Sequence, residues 1–395
     1  MIASTLKMDY DSFSNPVNGQ YKFFKDGGNG FIINAGRIAA KPGGYIALLS
    51  QAIENSGTIA VSSIDAKVGR IVLASGERMT VAMDDKSLIS VAIEEGVKTA
   101  IFGPDGAQMK SAIKNSGTIT ADGGRITLTA KSLNKVFDYA VNNSGIIQAN
   151  NVVKNNGVIE FIVEGAPILN TGKGRIEAGK VTINAVDTNL FNFGQIISET
   201  PADMPDKGNI YIKALNILQD GLISSNGLVT IDVDDMNTTQ VIVYDPNSLA
   251  QGADGAALPA AFIRGNEVRI TFRKLGSADR PIQIKAPTTY IYRKAGDIDI
   301  SDSLGIGTSI WMRGPPESDF SIIYSKDTNL TLDAAHVNLV GFAPISFYGN
   351  ITFSSLTCIV PGKVITFEAG TMTTIKGLLT LEGASDNHII LQSSK

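Results

Sequence analysis

The chain has 395 residues, a formal net charge of −4 and 18% charged residues, with no lysine- or arginine-rich block. That balance excludes the electrostatic footprint of a nucleic-acid-binding protein. Its longest apolar stretches, such as 256–263, fall well short of the roughly 20 residues of a spanning helix, so no transmembrane segment is expected. The 40 glycines and recurrent Val, Ile, Thr and Asn, with few runs at helical spacing, predict an all-β chain of short strands and tight turns. The single cysteine, Cys358, cannot close an internal disulfide. A secreted protein of this size would then be held by its core, which a long solenoid allows; a cytosolic chain is the other reading of one cysteine.

In chain order, Met1 to Asp9 lacks the basic start, apolar middle and small-residue cleavage site of a signal peptide. The unit Asn-x-Gly-x-Ile begins at Asn34-Ala35-Gly36, returns 21 residues on at Asn55-Ser56-Gly57, and again 60 further on at Asn115-Ser116-Gly117. It recurs at Asn143 with Gly145, at Asn155 with Gly157, and at Asn192 with Gly194. These are the expected structural corners, since asparagine and glycine accept the left-handed backbone that sharp turns often require. The gap of 60 residues reads as three periods.

A second unit follows some copies, as in Gly43-Gly44-Tyr45-Ile46, Gly69-Arg70-Ile71 and Gly123-Gly124-Arg125-Ile126-Thr127-Leu128. In the last, Ile126 and Leu128 share one face while Arg125 and Thr127 share the other, the period of a half-buried strand. A coil of about 20 residues cannot bury its own apolar face but can do so when stacked. The expected fold is therefore a parallel β-helix (a solenoid) with on the order of 19 coils, whose corner asparagines can form an amide ladder. The competing reading makes each Asn-x-Gly an ordinary hairpin turn in an antiparallel sheet.

The repeat is clear over residues 1–200 and fades over 201–395, where a more irregular β-helix with loops is expected. Strands are expected at 209–213, 228–233, 267–272, 289–293, 364–367, 374–381 and 388–392. Loops are expected at 84–110, 245–262 and 302–320. The last carries the only tryptophan, Trp311, which with Arg313 is the candidate for ligand contact.

The strings Gly43 to Leu49, Ile53 to Ile59 and Gly69 to Gly76, with Ala3-Ser4-Thr5-Leu6 ahead of them, resemble filamentous haemagglutinin-type exoproteins of two-partner secretion. The resemblance covers residues 3–130 well and continues more weakly to about 200. It implies a right-handed β-helix, a secreted or outer-surface location, and an outer-membrane transporter as partner. The family's Asn-Pro-Asn-Gly turn precedes the Ala-Ser-Thr-Leu segment; here only Met1 and Ile2 do. Asn15-Pro16-Val17-Asn18-Gly19 has an inserted valine, lies on the other side, and reads as an ordinary loop. Together with the uncapped strands before Lys395, this makes the chain read as a fragment.

A structural or adhesive role, binding a surface receptor or glycan without catalysis, is the expected function. The alternative is a β-helical polysaccharide lyase or glycoside hydrolase, which needs convergent carboxylates with Arg, Lys or His on one face. His336 and His388 stand alone, and Asp84-Asp85 and Asp234-Asp235 are neighbours that a strand would turn to opposite faces. Asp297 and Asp299 share a face and could hold Ca²⁺ weakly, although a solvated strand face is the simpler reading. No catalytic, cofactor-binding or metal residue is assigned.

Overall fold

The computed structural model describes residues 1–64, 67–83, 89–149, 157–201, 208–239, 262–272, 274–275, 282–285, 288–293, 298–302, 309–313, 321–324, 333–341, 345–347 and 351–394. Between 273 and 354 the description covers the backbone and, of the side chains, Ile282 and Leu339. The chain divides into two compact units, Met1–Leu215 and Asn216–Lys395.

In Met1–Leu215 the strands stack in three parallel rows, a parallel β-helix. The first row runs through Ile2–Ser4, Tyr45–Ser50, Arg70–Ser75, Arg125–Lys131, Val158–Glu164, Lys180–Ala185 and Asn209–Ala214. The second runs through Phe31–Asn34, Ala52–Asn55, Ser111–Asn115, Tyr139–Asn143, Ile168–Asn170 and Leu190–Asn192. The third runs through Arg37–Ala39, Thr58–Ser62, Thr118–Asp122, Ile146–Ala149, Arg175–Ala178 and Gln195–Ser198. Each row keeps one register, so apolar side chains of equal rank stack. Ile46, Ile71, Ile126, Ile159, Val181 and Ile210 form one such column, and each is almost wholly buried. The period of two in Arg125–Lys131 is real: Ile126 and Leu128 are buried, Arg125 and Thr127 half-buried.

The strands recur about every 20 residues, as expected, and individual coils are lengthened by insertions. Successive corner asparagines lie 21, 60, 28, 27 and 22 residues apart, so the coils are fewer than a uniform short repeat gives. The separation of 60 is one coil and not three, because Asn55 pairs directly with Asn115 in the second row. Its extra length builds a hairpin outside the helix, Arg78–Met83 with Ile89–Glu95. Arg78–Met83 also pairs antiparallel with Gln20–Phe24, which pairs with Lys7–Met8.

That antiparallel sheet lays Phe23, Met79, Val81 and Ile89 on the outer face of the first row, at Ala47, Leu49, Val72 and Ala74. The local sequence follows. Tyr45–Ser50 and Arg70–Ser75 are apolar on both faces because both are covered, while Arg125–Lys131, at the margin of the cover, alternates from Arg125 to Leu128 and is buried on both faces only at Thr129 and Ala130. The expected loop at 84–110 is thus corrected: Ile89–Glu95 is a strand, with 84–88 outside the described residues.

In Asn216–Lys395 three rows start again. Leu228–Asp232, Glu267–Phe272, Thr288–Arg293 and Ser309–Arg313 form one. Asn216–Gln219, Asp235–Asn237 and Lys274–Leu275 form another, and Leu222–Ser225, Phe262–Arg264 and Ile282–Lys285 a third. The last two rows then merge, since Ile298–Asp302 pairs with Lys274–Leu275 and with Ile282–Lys285. Asp333–Gly341 and Ile351–Cys358 continue it as long single strands. The expected loop at 302–320 is corrected by Ser309–Arg313, whose Ile310, Trp311 and Met312 suit a pleated strand. It pairs antiparallel with Ser321–Tyr324. The expected strand over 374–381 is broken into Thr373–Ile375 and Leu379–Leu381, and 388–392 begins only at Ile390.

Candidate functional site

The corner asparagines converge in one column. Asn34, Asn55, Asn115, Asn143, Asn170 and Asn192 are buried side by side where the second row turns into the third. Each donates from Nδ2 to Oδ1 of the next, at 2.7, 2.8, 2.9, 3.0 and 2.9 Å in chain order. Several also donate to a carbonyl across the corner, as Asn55 does to Gly57 and Asn115 to Gly117. All the amides point the same way, so each bond polarises the next. The column holds coils together, and its buried amides offer no reactive group to solvent.

The corner glycines need a different explanation from the one their sequence suggests. Gly57, Gly117, Gly145 and Gly194 do not adopt positive φ; Gly43 and Gly123, each just ahead of a first-row strand, are among the glycines that do. What forbids a side chain is the coil below. A Cβ on Gly57 would lie 2.0 Å from the Gly36 carbonyl oxygen, on Gly117 2.1 Å from that of Gly57, and on Gly145 2.1 Å from that of Gly117. Gly36 meets nothing within 4 Å.

Gly157 belongs to another corner. Val158 leads into the first row, paired with Arg125, and Lys180 N–H donates to the Gly157 carbonyl, while Asn155 lies outside the described residues. The column's own residue in that coil is Asn170, absent from the motif because Thr171-Gly172-Lys173 separates it from Gly174. An asparagine followed after a longer gap by Gly-x-Ile, here Gly174-Arg175-Ile176, is the signal for it.

Glu77 ties the antiparallel sheet to the helix. Buried where the chain leaves the first row, it accepts from Lys25 Nζ, Gln51 Nε2 and the Lys98 amide, each at 3.2 Å. On the exposed edge, the hydrogen bond and charge of Lys98, with the charge of Arg78, hold the Glu95 carboxyl below the usual carboxylate range.

The same long coil also overhangs the second row. Its residues 101–110 fold back through Met109 N–H to the Ile101 carbonyl and Gly103 N–H to the Ala107 carbonyl. Asn29 Nδ2 bonds the Ala100 carbonyl at 3.1 Å on one side, and Gln108 Nε2 bonds the Val136 carbonyl at 3.2 Å on the other. Beneath lies a cleft of about 460 Å³. Its floor is a single outward-facing column, Ile33, Glu54, Lys114 and Asn142, which are register partners in successive coils. Lys114 Nζ stands 2.8 Å from Glu54 Oε1, both half-exposed.

The remaining sequence candidates are dispersed. Trp311 and Arg313 lie in Ser309–Arg313, and their side chains lie outside the described residues, as do those of Asp299 and His336. Asp84, Asp85, Asp297 and 245–261 lie outside them altogether. His388 is exposed near the end of the second unit. Burial pushes the Cys358 thiol up, away from nucleophilic thiolate. Among the described residues no three His, Cys, Asp or Glu side chains gather to hold a metal ion.

No model of a known protein family matches the chain. It is similar to the heme/hemopexin-binding protein of Haemophilus influenzae, 28% identical over 195 residues, which is 45% of this chain and 19% of that protein. The relation is distant and partial, and it is to an exoprotein of the two-partner secretion type. The chain matches about a fifth of the length of that relative.

Proposed function

We propose that the chain is a contact module of a secreted or surface-held two-partner secretion exoprotein, brought out by an outer-membrane transporter and binding cell or glycan surfaces without catalysis. The observation that carries this reading is the joining of a parallel β-helix to distant similarity with such an exoprotein. Its corner asparagines are spent on the amide column, and its outer faces present ordered columns of side chains, a large scaffold for contact.

The test is a binding screen with the purified full chain against intact cells, neutral and acidic glycans, heme and hemopexin; the last two come from the relative's name. Saturable binding without change to the bound molecule is expected. Release of unsaturated or reducing ends from an acidic glycan would overturn the reading in favour of a lyase or hydrolase, and so would the lack of binding to every surface.

A further inference from the structure

We propose that the cleft beneath residues 101–110 is a binding site for a short stretch of neutral, hydroxyl-rich glycan. The inference deepens the contact-module reading and rests on it. Four observations lead to this ligand class.

The volume, about 460 Å³, lies within the range of about 300–1,000 Å³ typical of small-ligand clefts. The charges cancel: Glu54 and Asp105 stand against Lys110 and Lys114, so the cleft favours neither a polyanion nor a polycation. The floor offers an acceptor beside a donor, Glu54 Oε1 and Lys114 Nζ at 2.8 Å, with the Asn142 amide in the next coil. Neighbouring sugar hydroxyls each donate and accept, so one can bind the carboxylate while the next binds the ammonium, which keeps unused donors. Ile33 on the floor and Met109 on the wall supply apolar surface for the C–H face of a sugar ring.

The wall is fixed before any ligand arrives. Asn29 holds its start, and its end is held by Gln108 and by the Lys110 carbonyl, which accepts from the Asp138 and Tyr139 amides at 2.8 and 3.1 Å. Little ordering cost remains for binding. Successive floor residues are spaced as strands in a sheet, about 4.8 Å apart, so a glycan can lie along the column.

The experiment uses the full chain on an array of neutral and acidic glycans, followed by calorimetry on the strongest neutral binder. Glu54→Gln and Lys114→Met each remove one half of the floor pair, and Ala107→Trp fills the cleft from the wall. The expected result is neutral-glycan binding that weakens about tenfold or more in each variant, with circular dichroism and melting unchanged. Equal binding by all three variants would place the glycan elsewhere and overturn this site while leaving the contact-module reading intact. A preference for acidic glycans, or binding to cells with no glycan bound, would overturn the ligand class in the same way. Only binding to nothing removes both readings.

Discussion

In Met1–Leu215 the second and third rows stay separate, and every coil turns between them at a buried asparagine. In Asn216–Lys395 those rows begin apart and then fuse, with Ile298–Asp302 meeting Leu275 through Ile298 and Ile282 through Ile300. Asp333–Gly341 and Ile351–Cys358 pass through the place where a corner would stand. When the rows separate again, Ile351–Cys358 pairs with both Thr373–Ile375 and Leu379–Leu381, and the break holds Lys376-Gly377 with no asparagine. The buried corner asparagine is therefore a mark of one kind of corner, not of the β-helix itself. The Asn-x-Gly unit fades in the second half because that corner is absent from the fused strands.

The comparison breaks most sharply at the middle of the amide column. Asn115→Ala takes the acceptor from Asn55 Nδ2 and the donor from Asn143 Oδ1, both buried. Leaving those groups unpaired is expected to cost about 2–5 kcal/mol. Hydrogen exchange should show lost protection in Ser111–Asn115 and Thr118–Asp122 and unchanged protection in Val364–Phe367. Equal loss in both regions would deny that the column acts locally.

Next in size is Gly117→Ala, whose new Cβ meets the Gly57 carbonyl and forces two coils apart, at about 1–3 kcal/mol. Gly36→Ala, made in the same motif with nothing near it, should stay within about 0.5 kcal/mol. If the two glycines proved equally sensitive to thermal unfolding, local turn strain and not stacking would be the reason for them.

Local pattern revealed the strands well, because an isoleucine every second residue reports burial on one face wherever it occurs. Register it could not reveal. Asn55 and Asn115 are neighbours across 60 residues of intervening hairpin, and only their pairing shows it. Asn155 to Ile159 spells the same unit as Asn115 to Ile119, yet Ile159 stacks on Ile126 in the first row while Ile119 stacks on Ile59 in the third. The cleft was only half legible: Ile33, Glu54, Lys114 and Asn142 each precede a corner asparagine and so fall in one column, but no motif marks 101–110 as its wall.

A smaller effect is expected where the second unit begins. Gln219 is buried one residue before a turn, and its Nε2 donates to the Gly221 carbonyl at 2.7 Å, the same step across two residues that Asn55 and Asn115 make. Gln219→Ala should cost about 1–2 kcal/mol through the loss of its buried bond to the Gly221 carbonyl. An equal or larger loss of protection in Leu222–Ser225 would mean that the second unit depends on its corner as strongly as the first.

The smallest change belongs to the outer face of the first row. Thr127 is half-buried, with its hydroxyl 3.4 Å from Glu160, which Arg125 already grips at 3.1 and 3.2 Å. Thr127→Ser keeps the hydroxyl and loses one methyl from a face open to solvent, so a shift within about 0.5 kcal/mol is expected. The backbone pairs of Thr127 with Val72 and Glu160 do not involve the side chain and should persist. Urea unfolding followed by tryptophan-independent circular dichroism measures this directly. A shift as large as that of Gly117→Ala would mean that outward columns, and not only the corners and core, set the stability of the coils.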